Sequence, residues 1–402
     1  MGNKHSTEYG GIFVQTSKAY YFPGEIIQGT ISLNITKPGY PGRRLYISLT
    51  GKEILHGAFD INENSDDEGI LSTNTTQKIL KSEMVLYEFQ QPTIPMGQFT
   101  TSFTFQLPSN IPGTYNKIHL SGAFERIIYK VKGYVVATKG YKTMSHIQQI
   151  QIREPIYYPE QQIIGDGKVG DNGYWCRQKG SAQITAVTDR NVYRIGEAIR
   201  ILIEVIDDER FQKPEKIIIQ LENITQYKYK NNIETKTKII TEEQIQTTTK
   251  KLGSYKVLNQ QEVVLFAQLK NHNNNDQYNM IQPTTNGDII KTNYQIVIRA
   301  SFGISCCNQS ECLELPIQIL SSTVLQQQSI QPPLGWNPIQ LNDENLQLLA
   351  AAKQSGTSLQ SYSTYQKTLQ GRNSYHEQQE SLRSIRVGNS VRSIQSLNYQ
   401  MN

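Results

Sequence analysis

The chain has 402 residues, more than one ordinary domain core requires, so its length predicts two domains followed by a tail. Its 40 basic and 35 acidic residues are spread along the sequence, which disfavours a nucleic-acid-binding protein because phosphate backbones require a concentrated basic surface. No apolar run approaches the roughly 20 residues of a membrane-spanning helix, and the N-terminus lacks the apolar core of a signal peptide. We therefore expect a cytoplasmic chain.

The polar arm formed by residues 1–10 begins with an acylation pattern. Gly2 follows the initiator Met1, and the small hydroxyl residue Ser6 occupies the position that N-myristoylation prefers. The sequence thus predicts a myristoyl group on Gly2, and a disordered start is the alternative interpretation. One myristoyl chain binds membranes with an association constant of only about 10⁴ M⁻¹, so lasting membrane contact requires a second site.

Alternating apolar and polar residues dominate residues 11–155. Phe103, Phe105 and Leu107, for example, alternate with polar neighbours, and Gly, Pro and Asn separate such segments. No helical period of 10 to 15 residues interrupts them. Strands without intervening helices favour an antiparallel β-sandwich over a parallel α/β sheet, so an all-β domain is predicted here.

Residues 176–320 repeat the pattern of the first domain. The repeat keeps the same spacing in a turn and in the strand after it, and it matches Tyr21, Gly24, Glu25 and Ile27 with Tyr193, Gly196, Glu197 and Ile199. The next strand follows without a gap, since Leu45, Ile47 and Leu49 align with Ile217, Ile219 and Leu221. A duplicated domain explains this register, whereas a turn motif alone does not.

Residues 156–175 lie between the two domains and are polar, with Pro159, Gly165, Gly167 and Gly170 among them. Proline and glycine at this density are typical of connecting segments, so a linker is predicted here.

Residues 321–402 are rich in Gln and Ser and contain few segments that could bury a core, which predicts a flexible tail. Within it, Glu344, Leu348 and Leu349 fit the acidic-dileucine pattern that clathrin adaptors read. The alternative is that these leucines, together with Leu346, pack on a domain core as a helix.

The end of the tail combines arginines and serines with spaced aliphatic residues and has no acidic residue between 381 and 397. This composition suits contact with an anionic membrane. Arginines near serines also suit basophilic kinases, whose phosphates would cancel the positive charge and release the segment. The candidate phosphorylation sites are Ser384, Ser390, Ser393 and Ser396. An inert disordered tail is the alternative.

No catalytic, cofactor or metal motif is recognisable in the sequence. The six histidines are scattered, and none belongs to a nucleophile motif or a paired metal motif. The cysteines Cys176, Cys306, Cys307 and Cys312 do not have the spacing of a zinc site, so we expect reduced structural thiols. The sequence therefore predicts a protein that is not an enzyme and has no metal and no cofactor.

The order and spacing of several motifs resemble the arrestin-domain family, and its α-arrestin branch more than the visual and β-arrestins. The first unit is similar to the family's N-terminal domain in segments that begin at Tyr21, Leu49, Phe103 and Ile128. The second unit is similar to its C-terminal domain in segments that begin at Cys176, Asp189 and Leu315. The resemblance covers about the first four fifths of the chain.

The resemblance implies two tandem immunoglobulin-like β-sandwiches that act as a non-enzymatic adaptor or scaffold in trafficking, endocytosis or signalling. Implied partners are cytoplasmic segments of membrane receptors or transporters at the plasma membrane or endosomes, and the dileucine pattern adds clathrin adaptors as expected partners. The tail departs from many α-arrestins, because Pro332-Pro333-Leu334-Gly335 has Gly where the ubiquitin-ligase motif Pro-Pro-x-Tyr needs Tyr. A retromer-like coat subunit is one alternative, and a β-sandwich hydrolase is another.

Overall fold

The computed structural model describes residues 6–60, 70–119, 121–138, 140–172, 178–207, 214–229, 232–246, 257–266, 281–301, 312–321 and 331–354. These residues form mainly antiparallel β-sheets with one short helix, as the alternating sequence pattern predicted. No helix in the described part is long and apolar enough to cross a membrane.

The first sandwich consists of two facing sheets. Its strands are β1 (Ser6–Thr7), β2 (Gly10–Thr16), β3 (Tyr20–Tyr21), β4 (Ile26–Ile35), β5 (Gly42–Asp60), β6 (Ile70–Glu88), β7 (Gly97–Gln106), β8 (Tyr115–Ile118), β9 (Phe124–Ala137) and β10 (Met144–Ile152). One sheet has the order β1-β2-β4-β7, and the other has the order β3-β10-β9-β5-β6 with β8 paired to β9.

The second sandwich repeats this arrangement. Its strands are β11 (Ile163–Asn172), β12 (Gln178–Thr188), β13 (Val192–Arg194), β14 (Ala198–Asp207), β15 (Lys216–Tyr229), β16 (Asn232–Gln246), β17 (Val257–Phe266), β18 (Thr285–Asn286), β19 (Ile290–Ser301) and β20 (Leu313–Leu320). Its sheets have the orders β11-β12-β14-β17 and β13-β20-β19-β15-β16, with β18 paired to β19. The matching strand orders confirm the predicted duplication.

Strand β9 illustrates how the alternating sequence builds the core. Ile127, Tyr129 and Val131 are fully buried, while the alternate residues Lys130 and Lys132 reach the opposite face of the sheet. Because side chains alternate across a strand, one face packs between the sheets and the other meets water.

The repeated turn has the same geometry in both sandwiches. Gly24 and Gly196 adopt positive φ angles of 81° and 95°, a conformation that side chains with a Cβ rarely adopt. The glutamate after each glycine accepts a hydrogen bond from the backbone N–H three residues earlier: Glu25 from Phe22 at 3.1 Å, and Glu197 from Arg194 at 2.8 Å. The turn is therefore closed by its own glutamate before the strand enters the core.

Strand β11 lies within residues 156–175, the range that the sequence predicted as a linker. Its glycines fit close packing: a Cβ on Gly165 would lie 2.4 Å from the Leu315 side chain. Glycine in a strand often marks such an approach and is not always a chain break. The strand adds an edge to the first sheet of the second sandwich by pairing with β12.

Part of the predicted flexible tail is ordered in the structure. Strand β21 (Ile339–Gln340) and helix α1 (Asp343–Gln354) pack against the first sandwich. The prediction of a flexible tail was therefore wrong for residues 331–354, because apolar side chains in this segment reach a core that lies far from them in the sequence.

We expect Gly196→Ala to destabilise the chain by about 1–2 kcal/mol, because alanine is strained at a positive φ. Among the described residues, nothing lies within 4 Å of the added Cβ, so backbone strain is the main cost. Gly167→Ala is the matched control, since its Cβ makes only an ordinary 3.5 Å contact. Urea unfolding checks this expectation, and equal effects of the two substitutions would contradict it.

Candidate functional site

Three buried glutamates lie where the first sandwich meets the second. Glu53, Glu125 and Glu154 have relative exposures of 1%, 0% and 4%. Each occupies a position whose side chain points into the core. In β9, for example, Glu125 alternates in step with the buried Ile127 and Tyr129. A charged side chain that faces the core destabilises the fold unless it is hydrogen-bonded or paired with an opposite charge. The partners of each glutamate therefore determine whether it is tolerated.

Glu53 binds a turn of the second sandwich through backbone donors. Asp288 N–H donates to its Oε1 at 2.9 Å, and Ile289 N–H donates to its Oε2 at 2.8 Å. Ile290 N–H lies 3.3 Å from the same Oε2. Gly287 permits this approach, because a Cβ there would lie 2.7 Å from the carboxylate. The turn thus presents consecutive N–H groups to one buried anion.

Glu125 collects donors from both sandwiches. The Tyr227 hydroxyl of the second sandwich donates to Oε1 at 2.8 Å, and the Tyr115 hydroxyl of the first donates to Oε2 at 3.1 Å. His119 Nε2 lies 2.6 Å from Oε1, and Lys117 Nζ lies 3.7 Å from it. This carboxylate therefore has polar partners on both of its oxygens.

Glu154 links the segment before strand β8 to strand β18. Gly113 N–H donates to its Oε1 at 2.6 Å, and the Thr285 hydroxyl donates to the same oxygen at 2.7 Å. Asn286 N–H contacts it at 3.2 Å, and the Tyr157 hydroxyl donates to Oε2. One carboxylate thereby holds the first sandwich, the segment after it and the second sandwich together.

Apolar contacts accompany these hydrogen bonds. Tyr227, Ile289 and Ile290 belong to the second sandwich, yet they are buried in the hydrophobic core of the first. We call the three glutamates and these three side chains the interdomain junction. Because the same turn residues supply both N–H donors and buried side chains, the two sandwiches are fixed against each other.

Glu53 and Glu125 respond to pH in opposite directions. Burial raises the pKa of Glu53 despite its N–H donors, so its contribution to stability falls as pH rises above the ordinary glutamate range. Burial also acts to raise the pKa of Glu125, but Lys117, His119 and Tyr227 outweigh it and lower the pKa. Stability from Glu125 is therefore present above the ordinary glutamate pKa and is lost as pH falls through its lowered value.

The tail adds a strand to the β7 edge of the first sandwich. Strand β21 pairs in parallel with β7, with Ile339 opposite Phe99 and Gln340 opposite Thr100. Leu341 N–H then donates to the Thr100 carbonyl at 2.7 Å, and the Leu341 side chain is buried. The β7 edge is thus satisfied by strand addition from the chain itself.

Helix α1 follows and packs on the same sandwich. Asn342 caps it, since its Oδ1 accepts a hydrogen bond from Asn345 N–H at 2.8 Å. Asp343 and Glu344 lie in its first turn, where negative charge favours the helix, and the Tyr87 hydroxyl donates to Asp343. Burial and the Asp343 carboxylate raise the pKa of Tyr87 to about 12.

The candidate dileucine motif lies on this helix. Leu349 is buried in the core of the first sandwich with 5% exposure, whereas Leu348 is 39% exposed. Glu344 is exposed in the first turn. A partner that reads both leucines therefore requires release of Leu349 from the core, so the described arrangement favours the alternative of a docked helix.

The remaining predicted sites lie outside the described residues. These are Gly2 and the serines Ser384, Ser390, Ser393 and Ser396. Of the cysteines, Cys312 is described and is a free thiol whose pKa is raised by burial. Within the described part of the chain, no group of three or more His, Cys, Asp or Glu residues could hold a metal ion.

Comparison with known proteins agrees with this architecture. The family model described as "Arrestin (or S-antigen), N-terminal domain" matches residues 11–156. The model described as "Arrestin (or S-antigen), C-terminal domain" matches residues 178–324. Together they span both sandwiches, and the chain belongs to the arrestin-domain family.

A curated relative has the same domain type. The chain is 25% identical to arrestin domain-containing protein A of Dictyostelium discoideum over 199 residues. The aligned region is 47% of this chain and 33% of that protein, so the match spans about a third of the relative's length.

We expect Leu349→Ala to weaken docking of helix α1 by about 2–3 kcal/mol, the cost of truncating a buried leucine. Hydrogen exchange of residues 339–354 should accelerate accordingly. Leu348→Ala is the matched control, because the exposed neighbour should leave protection nearly unchanged. Equal protection in both variants would show that Leu349 does not hold the tail.

Proposed function

We propose that this chain is a non-enzymatic arrestin-like adaptor that binds cytoplasmic segments of membrane receptors or transporters in trafficking, endocytosis or signalling. The observation that carries the proposal is the pair of arrestin sandwiches joined by the interdomain junction. A fixed pair of β-sandwiches presents large surfaces and strand edges for other proteins, which is the requirement of an adaptor.

The proposed docking mode is strand addition. Strands β6 and β16 are the outer members of their sheets among the described residues, and each is long. Their outer backbone groups offer hydrogen bonds to an extended peptide of a membrane protein. The pairing of β21 with β7 supports this mode, because a sheet of the same sandwich accepts a short peptide strand in that way.

The tail supplies further contacts in this proposal. Release of helix α1 would expose Leu349 beside Leu348 and make the motif with Glu344 readable by a clathrin adaptor. Phosphates on the tail serines would reduce the positive charge of residues 381–397 and weaken their attraction to an anionic membrane.

Membrane visits depend on acylation of Gly2 in this proposal, so Gly2→Ala provides the test. Intact mass of the protein from its own cells should show a myristoyl group, and fractionation should move Gly2→Ala from membranes to cytosol. Ser6→Thr is the control, because it keeps a small hydroxyl residue within the pattern. An unmodified N-terminus with unchanged partitioning would remove the lipid from the proposed function.

A further inference from the structure

One outward face of the first sandwich carries an unusual concentration of lysines. The face belongs to strands β10, β9, β5 and β6, on the side opposite the core. The pairing register places Thr50 between Lys130 and Lys81, and Lys52 opposite Lys78. We call the side chains that share this side the lysine face; they are Lys52, Lys78, Lys81, Lys130 and Lys132.

These lysines lie close enough to act together. Same-face residues on one strand are about 7 Å apart, and neighbouring strands are about 5 Å apart. Lys130 and Lys132 are therefore near neighbours, and Lys81 lies two strands from Lys130, at about 10 Å between backbones. Charges within about one Debye length, 8–10 Å, reinforce each other at physiological salt.

Among the described residues, the lysine face has no ion-pair partners. Ion pairs in the described part of the chain use other cations, and none includes a member of the lysine face. On this side, Arg43 and Arg44 offset the charge of Glu88. Glu83 is hydrogen-bonded to the neutral hydroxyl of Tyr134 and adds one carboxylate to the five lysines, which remain in excess.

Exposed aliphatic side chains border the lysines. Val85, Val136 and Ile147 are 48%, 50% and 47% exposed, and they lie around the stacked rings of Tyr46 and Tyr134. The register places Ile147 opposite Lys132, and Val85 and Tyr134 both opposite Tyr46. Lysine, tyrosine and aliphatic residues thus share one nearly continuous surface.

This apolar border lies beside the start of the described chain. The Tyr9 ring lies 5.7 Å from that of Tyr40 and 6.0 Å from that of Tyr141, which is in the turn between β9 and β10. Tyr141 is itself 49% exposed. Tyr9, which follows strand β1 and lies three residues after Ser6 of the acylation pattern, therefore packs beside the β9–β10 turn that comes after Val136.

The corresponding face of the second sandwich has a different chemistry. There, Gln220 bonds to Glu242 at 2.7 Å, and Arg299 pairs with Glu222 at 3.2 Å. Arg299 and Glu222 neutralise each other there, and the Gln220 amide donates to the Glu242 carboxylate. The lysine face therefore distinguishes the first sandwich and does not follow from the shared fold.

We propose that the lysine face is a membrane-docking surface that binds the anionic headgroups of a lipid bilayer. Lysines attract the negative surface of the cytoplasmic leaflet, and the exposed aliphatic and tyrosine side chains suit its interface. A spread of lysines on a flat sheet, bordered by apolar residues, fits a lipid surface better than a narrow phosphopeptide. The inference deepens the proposed function by supplying the second contact that one acyl chain requires.

Vesicle sedimentation with the unacylated Gly2→Ala chain tests this surface independently of the lipid on Gly2. The chain should bind vesicles containing 30% phosphatidylserine more tightly than phosphatidylcholine vesicles, and added salt should weaken this binding. The triple variant Lys52→Gln/Lys81→Gln/Lys130→Gln should bind the anionic vesicles about 100-fold more weakly, at roughly fivefold for each lysine.

A charge-matched control is available on the second sandwich. Lys168→Gln/Lys228→Gln/Lys291→Gln removes three exposed lysines there and should retain most of the binding. Equal losses in the two triple variants would overturn the proposal, since they would indicate a response to net charge alone. Binding of soluble inositol hexakisphosphate at the lysine face without binding to anionic vesicles would also overturn it. Circular dichroism verifies that each variant is folded.

Because the vesicle experiment omits the acyl group, the two ideas fail separately. If Gly2→Ala does not change membrane partitioning in cells but the chain still binds anionic vesicles, the acylation hypothesis fails and the lysine-face proposal stands. Loss of vesicle binding removes the lysine face, whatever the mass of the N-terminus.

Discussion

Burial of three carboxylates at one junction is the constraint on which the arrangement of the two sandwiches depends. A buried charge without partners destabilises a protein by several kcal/mol, so each glutamate requires donors that only the assembled chain supplies. For Glu53 those donors are the N–H groups at 288–290, and for Glu125 they include the hydroxyl of Tyr227. The first sandwich is therefore fully satisfied only with the second in place.

The junction relies mainly on neutral donors that the fold itself positions. Backbone N–H groups and tyrosine hydroxyls have fixed directions, whereas an ion pair between long side chains has more rotational freedom. Hydrogen bonds to charged groups contribute about 1.5–3 kcal/mol each, which is enough to hold a defined orientation between domains. The buried Ile289 and Ile290 add apolar contact at the same turn.

The two sandwiches could be predicted from the sequence because their information is local. Period-2 alternation defines each strand, and the repeated turn at Gly24 and Gly196 defines the duplication. Strand β11 was missed because Gly165 is typical of a linker when seen alone. In the structure, the side chain of Leu315, a residue far along the chain, packs over Gly165 and leaves no room for a Cβ. This contact explains the glycine in the strand.

The junction and the docked tail depend on contacts between distant residues, so sequence reasoning missed them. A signal for the glutamates was nevertheless present, since Glu53 follows the inward phase of Leu49 and Gly51. A polar residue at a position that should face the core indicates either that the strand pattern is wrong or that the residue has a function. For the tail, the sequence left two interpretations of Leu349 open, and a core formed mostly by residues 12–152 decides between them.

The junction, the β7 edge and the lysine face are separate parts of the molecule. The junction fixes the geometry, the β7 edge holds the tail, and the lysine face of the first sandwich is directed away from its core. Outer strand β6 carries Lys78 and Lys81 of the lysine face. In the proposed function, a peptide leaving a membrane would meet the outer edge of β6 close to the bilayer, so the proposed membrane contact and cargo binding would be compatible in a single orientation.

The most direct test of the account is calorimetry of the native chain and of Glu53→Ala/Glu154→Ala. Removing these carboxylates leaves buried donors at the junction without acceptors, at a cost of about 1–3 kcal/mol each. The native chain should unfold in one cooperative transition, and the variant should unfold in two. Glu88→Ala, which removes surface ion pairs with Arg43 and Arg44, should behave like the native chain. A single unchanged transition in the double variant would contradict the central role of the junction.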